Sequence, residues 1–161
     1  MKEKLRHCES YLLPAAPLIF VCHVLEEAPG FVEWFNSHVT RGISPDLFWR
    51  VNISAFVVTV ILVALDVLYR SQASAGVCVA WLSFIMFANA VFHIVGSAVD
   101  QRYVPGLITA FFYIVYCGVL AANFVKNGRM TSTALVILVF LGSTPMLVHG
   151  YLILFHGGRL F

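Results

Sequence analysis

The chain has 161 residues, of which 60% are hydrophobic and only 11% are charged, with a net charge of +2 and a mean hydropathy of +0.88. An average soluble domain is about one-quarter charged, so this composition excludes an ordinary soluble protein and indicates a polytopic membrane protein. No basic run of the kind that binds nucleic acid is present, and the four cysteines form no C-x-x-C pair typical of a thiolate metal site.

Five apolar segments follow one another, each near the roughly 20 residues with which a helix crosses a bilayer. Short polar breaks between them indicate antiparallel neighbours in one bundle. The sequence therefore predicts an all-α fold, a polytopic bundle of five transmembrane helices forming a single domain over 1–161. The basic N-terminus resembles a signal peptide, but the first segment ends in His and Glu, which favours a retained helix. The predicted spans are 11–28, 46–69, 75–99, 104–125 and 132–156.

Residues 30–41 have a different pattern, with Phe31, Trp34 and Phe35 on one helical face and polar residues on the other. This pattern predicts a short amphipathic helix lying in the membrane interface. It follows the first segment directly, so it can serve either as a roof over a site there or as an anchoring linker. Trp49 and Tyr103 are interpreted as aromatic-belt residues at the membrane surface.

The distribution of basic residues gives an orientation. With five crossings, six of the ten Lys and Arg residues fall on the side of the N-terminus, which favours a cytoplasmic N-terminus. The expected location is the bacterial inner (plasma) membrane. The expected partners are the lipid bilayer and a hydrophobic small-molecule substrate, with no nucleic acid, and a homodimer stays open.

The first segment carries three ionisable residues within five positions: His23, Glu26 and Glu27. At about 100° per residue, all three fall within an arc of about 100° on one helix face. Ionisable groups in such a segment are costly and persist mainly where they face a protein interior, a ligand or a cavity. Two adjacent carboxylates repel each other when both are ionised, so one of them is expected to carry a proton or to pair with a cation.

Further polar residues fall at a similar depth on other helices. Asn89 and His93 are four residues apart and share a face of the third segment, while Tyr113 and His149 lie in the fourth and fifth. In an up-down bundle all of them fall in the leaflet half opposite the N-terminus. We therefore expect one pocket with Glu26, Glu27, Asn89 and Tyr113 as catalytic residues. The expected metal ligands are His23, Glu26, Glu27, His93 and His149.

Three motifs occur in order along the chain. They are His23-x-x-Glu26-Glu27, Asn89-x-x-x-His93 and Tyr103-x-Pro105-Gly106-x-x-Thr109. In these motifs, their order and its length, the chain resembles the HXXEE-motif family of small polytopic membrane proteins. The function of that family is uncertain, so the resemblance implies a fold and a set of site residues but no reaction.

Four functions fit these features. The first is a metal-dependent enzyme in which zinc or iron acts on a hydrophobic or lipid-like substrate, with one Glu a ligand and the other a general base. The second is a metal-free acid–base isomerase of an isoprenoid or sterol-like substrate. A proton- or cation-coupled transporter is less favoured, because polar residues occupy only one half of the bundle. An accessory membrane subunit would not require three imidazoles and two carboxylates at one depth.

Overall fold

A computed structural model describes residues 12–161, and within that range every regular element is helical. A short 3-10 turn, Leu13–Ala15, leads into α1. A π-helical segment, Ser83–Ala88, joins α4 and α5 into one continuous helix. The helices are α1 (Ala16–Glu27), α2 (Phe31–Asn36), α3 (Pro45–Tyr69), α4 (Gln72–Leu82), α5 (Asn89–Asp100), α6 (Leu107–Lys126) and α7 (Ser132–His156).

Four of these helices are long and apolar enough to cross a membrane: Pro45–Tyr69, Gln72–Asp100, Leu107–Lys126 and Ser132–His156. They match the last four predicted spans to within a few residues at each end. Many of their large apolar side chains are exposed, as lipid-facing side chains are. The prediction of an all-α fold with helices apolar enough to cross a membrane is therefore confirmed.

The prediction of five spans is not exact, because four helices among the described residues are long and apolar enough to cross a membrane. In the first predicted span, the described 3-10 turn of 3 residues and the 12 residues of α1 together extend about 24 Å, compared with the roughly 30 Å of hydrocarbon. The helix ends at Glu27, where Ala28, Pro29 and Gly30 turn the chain into α2. Position 11 of the predicted span lies outside the described residues.

Hydroxyl side chains fix the starts of three long helices. Ser44 accepts a hydrogen bond from the backbone N–H of Leu47, and Thr131 accepts one from that of Ala134. Ser71 and Ser74 form a reciprocal capping box at the start of α4. These caps stand at the polar breaks between the apolar runs, which is why the sequence located those breaks well.

The π-helical segment interrupts the regular register just before Asn89 and His93. A π-helical turn inserts an extra residue relative to an α-helix, and such bulges occur frequently at functional sites. Here it sets the direction in which the start of α5 projects its side chains into the bundle.

An ion pair closes the opposite end of the bundle. Arg129 donates to both carboxylate oxygens of Asp66, at 2.9 and 2.7 Å, and the Ser74 hydroxyl donates to the same carboxylate. Because Asp66 is only 2% exposed, this bidentate pair satisfies a buried charge. It ties the end of α3 to the α6–α7 connection, far from the His and Glu residues of α1.

Two helical glycines provide a matched test of packing. A Cβ at Gly142 of α7 would collide with the backbone oxygen of Ala80 on α4, whereas a Cβ at Gly118 of α6 would meet nothing within 4 Å. We expect Gly142→Ala to lower the free energy of unfolding by about 1–3 kcal/mol through overpacking. Gly118→Ala is expected to be neutral or stabilising by up to about 1 kcal/mol through helix propensity. Thermal unfolding in detergent measures both, and equal effects would contradict the close α4–α7 contact.

Candidate functional site

Three buried side chains from two helices meet in the bundle. His23 and Glu27 lie one turn apart on α1, and His93 faces them from α5. Glu27 Oε1 lies 3.3 Å from His23 Nε2 and 2.8 Å from His93 Nε2. One ligand atom from each residue falls within 4.8 Å of the other two. We call this trio the His/Glu cluster; shared depth predicts a larger pocket that also contains Glu26 and His149.

The cluster is closed off from its surroundings and, within residues 12–161, has no Lys or Arg partner. His23, Glu27 and His93 are 1%, 4% and 0% exposed. Among the described residues, the ion pairs of Glu27 are formed with the two imidazoles alone. A buried carboxylate needs compensation by a proton or a cation, and in the described part of the chain the two histidines are the groups in position to carry that proton or to bind that cation together with Glu27.

Glu26 points away from the cluster, to the start of α6. Its Oε1 accepts hydrogen bonds from the Tyr103 hydroxyl at 2.7 Å and the Ile108 N–H at 2.9 Å. Its Oε2 accepts from the N–H and the hydroxyl of Thr109, at 2.8 and 2.5 Å. Each oxygen thus accepts two hydrogen bonds. The carboxylate lies at the N-terminus of α6, where backbone N–H groups without an intrahelical acceptor and the helix dipole favour an anion. The two adjacent glutamates therefore do not share one cavity.

Tyr103 belongs to this arrangement and is more than an aromatic-belt residue. Partial burial, together with the hydrogen bond that it donates to Glu26, raises the pKa of its phenol to about 12. The sequence contained a signal for this role, because Tyr103 and Thr109 begin and end the Y-x-P-G-x-x-T motif. The sequence alone does not show that Tyr103 and Thr109 both donate hydrogen bonds to Glu26.

The imidazole of His23 is held on both of its nitrogens. Nδ1 lies 2.6 Å from Thr109 Oγ1, and Asn89 Nδ2 donates to Nε2 at 2.8 Å. The ring of Tyr113 lies against it, with ring centroids 4.4 Å apart. The structure thus places Asn89 and Tyr113, both predicted as catalytic, in direct contact with His23.

Two buried polar atoms beside the cluster have no hydrogen-bond partner among the described residues. They are the Tyr113 hydroxyl and His93 Nδ1. His93 Nε2 is also not oriented for a hydrogen bond, although it lies 2.8 Å from Glu27 Oε1. Because buried polar groups are rarely left unpaired, these atoms point to a ligand or water within the site.

Aromatic side chains of α2 cover the cluster. The Trp34 ring stacks over His93 with centroids 6.2 Å apart, and the Phe31 ring lies 5.6 Å from the same imidazole. Trp34 Nε1 donates to Asp100 Oδ2 at 2.7 Å, and His38 Nε2 contacts Asp100 Oδ1 at 3.1 Å. The short helix predicted within 30–41 is thus observed over Phe31–Asn36, and its aromatic face roofs the site.

His149 lies elsewhere. Its Nδ1 accepts a hydrogen bond from the Leu160 N–H at 3.1 Å, and its ring stacks on that of Phe161 with centroids 4.0 Å apart. The shared depth of His149 with the other residues gave no information about the direction in which it points. The structure brings together three of the five predicted metal ligands, His23, Glu27 and His93, and separates Glu26 and His149 from them.

A family model described as a protein of unknown function with an HXXEE motif matches residues 15–121. The chain belongs to this HXXEE family. No curated protein and no solved structure matches it.

The matched region contains all three residues of the His/Glu cluster, as well as Glu26 and the residues that donate hydrogen bonds to it. It ends before His149. Within this HXXEE protein, the motif spans two neighbouring sites: His23 and Glu27 enter the buried cluster, and Glu26 caps α6. The i, i+4 spacing of His23 and Glu27 is what places both on one helix face.

The roof offers a test of its own. We expect Asp100→Ala to release Trp34 and His38, and thereby to speed hydrogen–deuterium exchange of the segment 31–38 severalfold, because the acceptor that fixes both rings is lost. Asp46→Ala is the matched control, because the pair of Asp46 with Arg50 is about 70% exposed and contributes little to stability. Unchanged exchange in Asp100→Ala would show that Asp100 does not hold the roof.

Proposed function

We propose that this protein is a metal-dependent membrane enzyme that acts on a hydrophobic or lipid-like substrate. The observation that carries the proposal is the buried His/Glu cluster, which offers two imidazole nitrogens and one carboxylate oxygen within 4.8 Å of one another. The metal assigned to it is zinc or iron.

The donor set supports this assignment. Two histidines and one carboxylate are a known ligand set of catalytic zinc and of non-haem iron, and three protein ligands leave a position open for water or substrate. When bound, such a metal polarises a carbonyl or lowers the pKa of bound water. The Tyr113 hydroxyl, which has no hydrogen-bond partner among the described residues and whose ring contacts His23, would be available to hydrogen-bond a molecule in that open position.

The surroundings support a hydrophobic substrate. The cluster lies within a bundle that has four membrane-length helices. An apolar groove of about 300 Å³ opens between α4, the π-helical segment, α6 and α7, and Phe87, Ile114 and Gly118 are among the residues that line it. The groove is lined along α6 by Ile114, the residue after Tyr113, and not by the residues of the His/Glu cluster.

The test uses purified full-length protein in detergent. We expect about one zinc or iron per chain by elemental analysis, loss of this metal in His93→Ala, and its retention in His149→Ala as the matched histidine control. The metal-loaded and chelator-treated proteins are then incubated with a membrane lipid extract, and the lipids are compared by mass spectrometry. A lipid species that changes only with the metal-loaded protein supports an enzyme. Metal-independent or absent conversion contradicts it.

A second candidate is metal-free acid–base catalysis. It is favoured by the position of Glu27 Oε1 within 3.3 Å of both imidazoles, distances over which a proton can be shared. In that case, purified protein contains no stoichiometric metal, chelators leave turnover intact, and Glu27→Gln still abolishes it.

A further inference from the structure

The hydrogen bonds around Thr109 determine where the proton of His23 lies. The Thr109 hydroxyl is 2.5 Å from Glu26 Oε2 and 2.6 Å from His23 Nδ1. A hydroxyl has one proton, and an ionised carboxylate can only accept. Thr109 therefore donates to Glu26 and accepts from His23, which places the imidazole proton on Nδ1.

The opposite side of the ring agrees. The Asn89 amide nitrogen donates to His23 Nε2 at 2.8 Å, so Nε2 carries a lone pair. The same Nε2 lies 3.3 Å from Glu27 Oε1. A lone pair and a carboxylate oxygen at this distance repel each other unless a cation or a proton lies between them.

We infer that Glu26 and Thr109 are positioning residues that fix the tautomer and orientation of His23, so that its Nε2 lone pair faces Glu27 and His93. This inference rests on the metal-binding function proposed above. Metal-ligating histidines usually donate their second ring N–H to a carboxylate, a carbonyl or water, and losing that partner typically weakens metal affinity 10–100-fold. Here the carboxylate acts through one hydroxyl.

The N-terminus of α6 makes this chain of hydrogen bonds rigid. Two backbone N–H groups, of Ile108 and Thr109, fix the Glu26 carboxylate, so it cannot turn towards the cluster without losing both. The two carboxylates of the motif thus have different roles. Glu27 would bind the metal, and Glu26 orients the His23 imidazole that would bind it as well.

Metal affinity, measured by competition with a chromophoric chelator, tests the inference. Thr109→Val keeps the shape of the side chain but removes its hydroxyl, and we expect a 10–100-fold loss of affinity. Thr109→Ser restores the hydroxyl and is expected to stay within about threefold of the unaltered protein. Thr59→Val is the matched control, because Thr59 is a fully buried threonine whose hydroxyl, among the described residues, donates to the Ala55 carbonyl of α3 and accepts from Trp81. Wild-type affinity in Thr109→Val would overturn the inference.

Nitrogen-15 NMR of histidine-labelled, metal-free protein tests the same inference without any metal. We expect His23 of the unaltered protein to be protonated on Nδ1 alone. Because Asn89 also favours this tautomer, the Thr109 variants are compared in an Asn89→Leu background, where Thr109→Val should show mixed tautomers and Thr109→Ser should keep Nδ1–H. A proton on Nε2 or on both nitrogens of the unaltered protein, or unchanged Nδ1–H in the Asn89→Leu, Thr109→Val double variant, would overturn the orienting role. A protein that binds no metal but shows the expected tautomers would contradict the proposed function and leave the orientation of His23 confirmed.

Discussion

Glu27→Gln is expected to remove the bound metal completely, whereas Glu26→Gln is expected to retain it with an affinity lowered about 10–100-fold. Glutamine keeps the shape of the side chain but removes the negative charge. Glu27 provides the carboxylate oxygen of the cluster, 2.8 Å from His93 and 3.3 Å from His23, so its charge is needed there. Glu26 is occupied by four hydrogen bonds at the start of α6 and reaches the cluster only through Thr109.

The measurement is the metal content of each variant after gel filtration, together with its melting temperature in detergent. The pair is well matched, because the same substitution is made at adjacent positions of one helix. Equal loss of metal from both variants, with both still folded, would show that Glu26 is itself a ligand. Full metal content in Glu27→Gln would remove Glu27 from the site.

Gly106→Ala is the second change with a large expected effect. Gly106 has φ +92°, and a Cβ there would lie 2.8 Å from Cε1 of His93 and 3.0 Å from Cε1 of His23. Alanine would therefore suffer backbone strain of about 1–2 kcal/mol and would also push both imidazoles out of position. We expect a further loss of about 1–3 kcal/mol in the free energy of unfolding and loss of metal binding.

Gly128→Ala is the matched control for this change. Gly128 also has positive φ, +69°, but a Cβ there would meet nothing within 4 Å. It should therefore show the backbone cost alone and keep the metal. If both alanine variants lose the same stability and both bind metal, Gly106 does not support the two imidazoles as the structure indicates.

Much of the site could be predicted from the sequence, because the spacing within one helix fixes which residues share a face. His23 and Glu27 are one turn apart, and so are Asn89 and His93, and both pairs meet as expected. The separation of Glu26 from Glu27 could not be predicted. This separation depends on where α6 begins. The backbone N–H groups that bind Glu26 belong to the first turn of α6, about 80 positions later in the chain.

Other differences have similar physical causes. Depth in an up-down bundle gives a height along the membrane normal but no direction around the helix, so His149 could not be separated from the cluster. The π-helical segment before Asn89 depends on packing against neighbouring helices and left no periodic signal.

The most direct test of the central claim is X-ray absorption spectroscopy at the metal edge of the purified, metal-loaded protein. We expect one metal bound by two imidazole nitrogens, at about 2.0–2.1 Å if it is zinc, and by at least one carboxylate oxygen. His93→Ala should lose the bound metal, whereas His149→Ala should keep it with unchanged imidazole scattering. Sulfur ligands at about 2.3 Å, an all-oxygen shell, or a bound metal with undiminished imidazole scattering in His93→Ala would contradict a metal centre built from His23, Glu27 and His93.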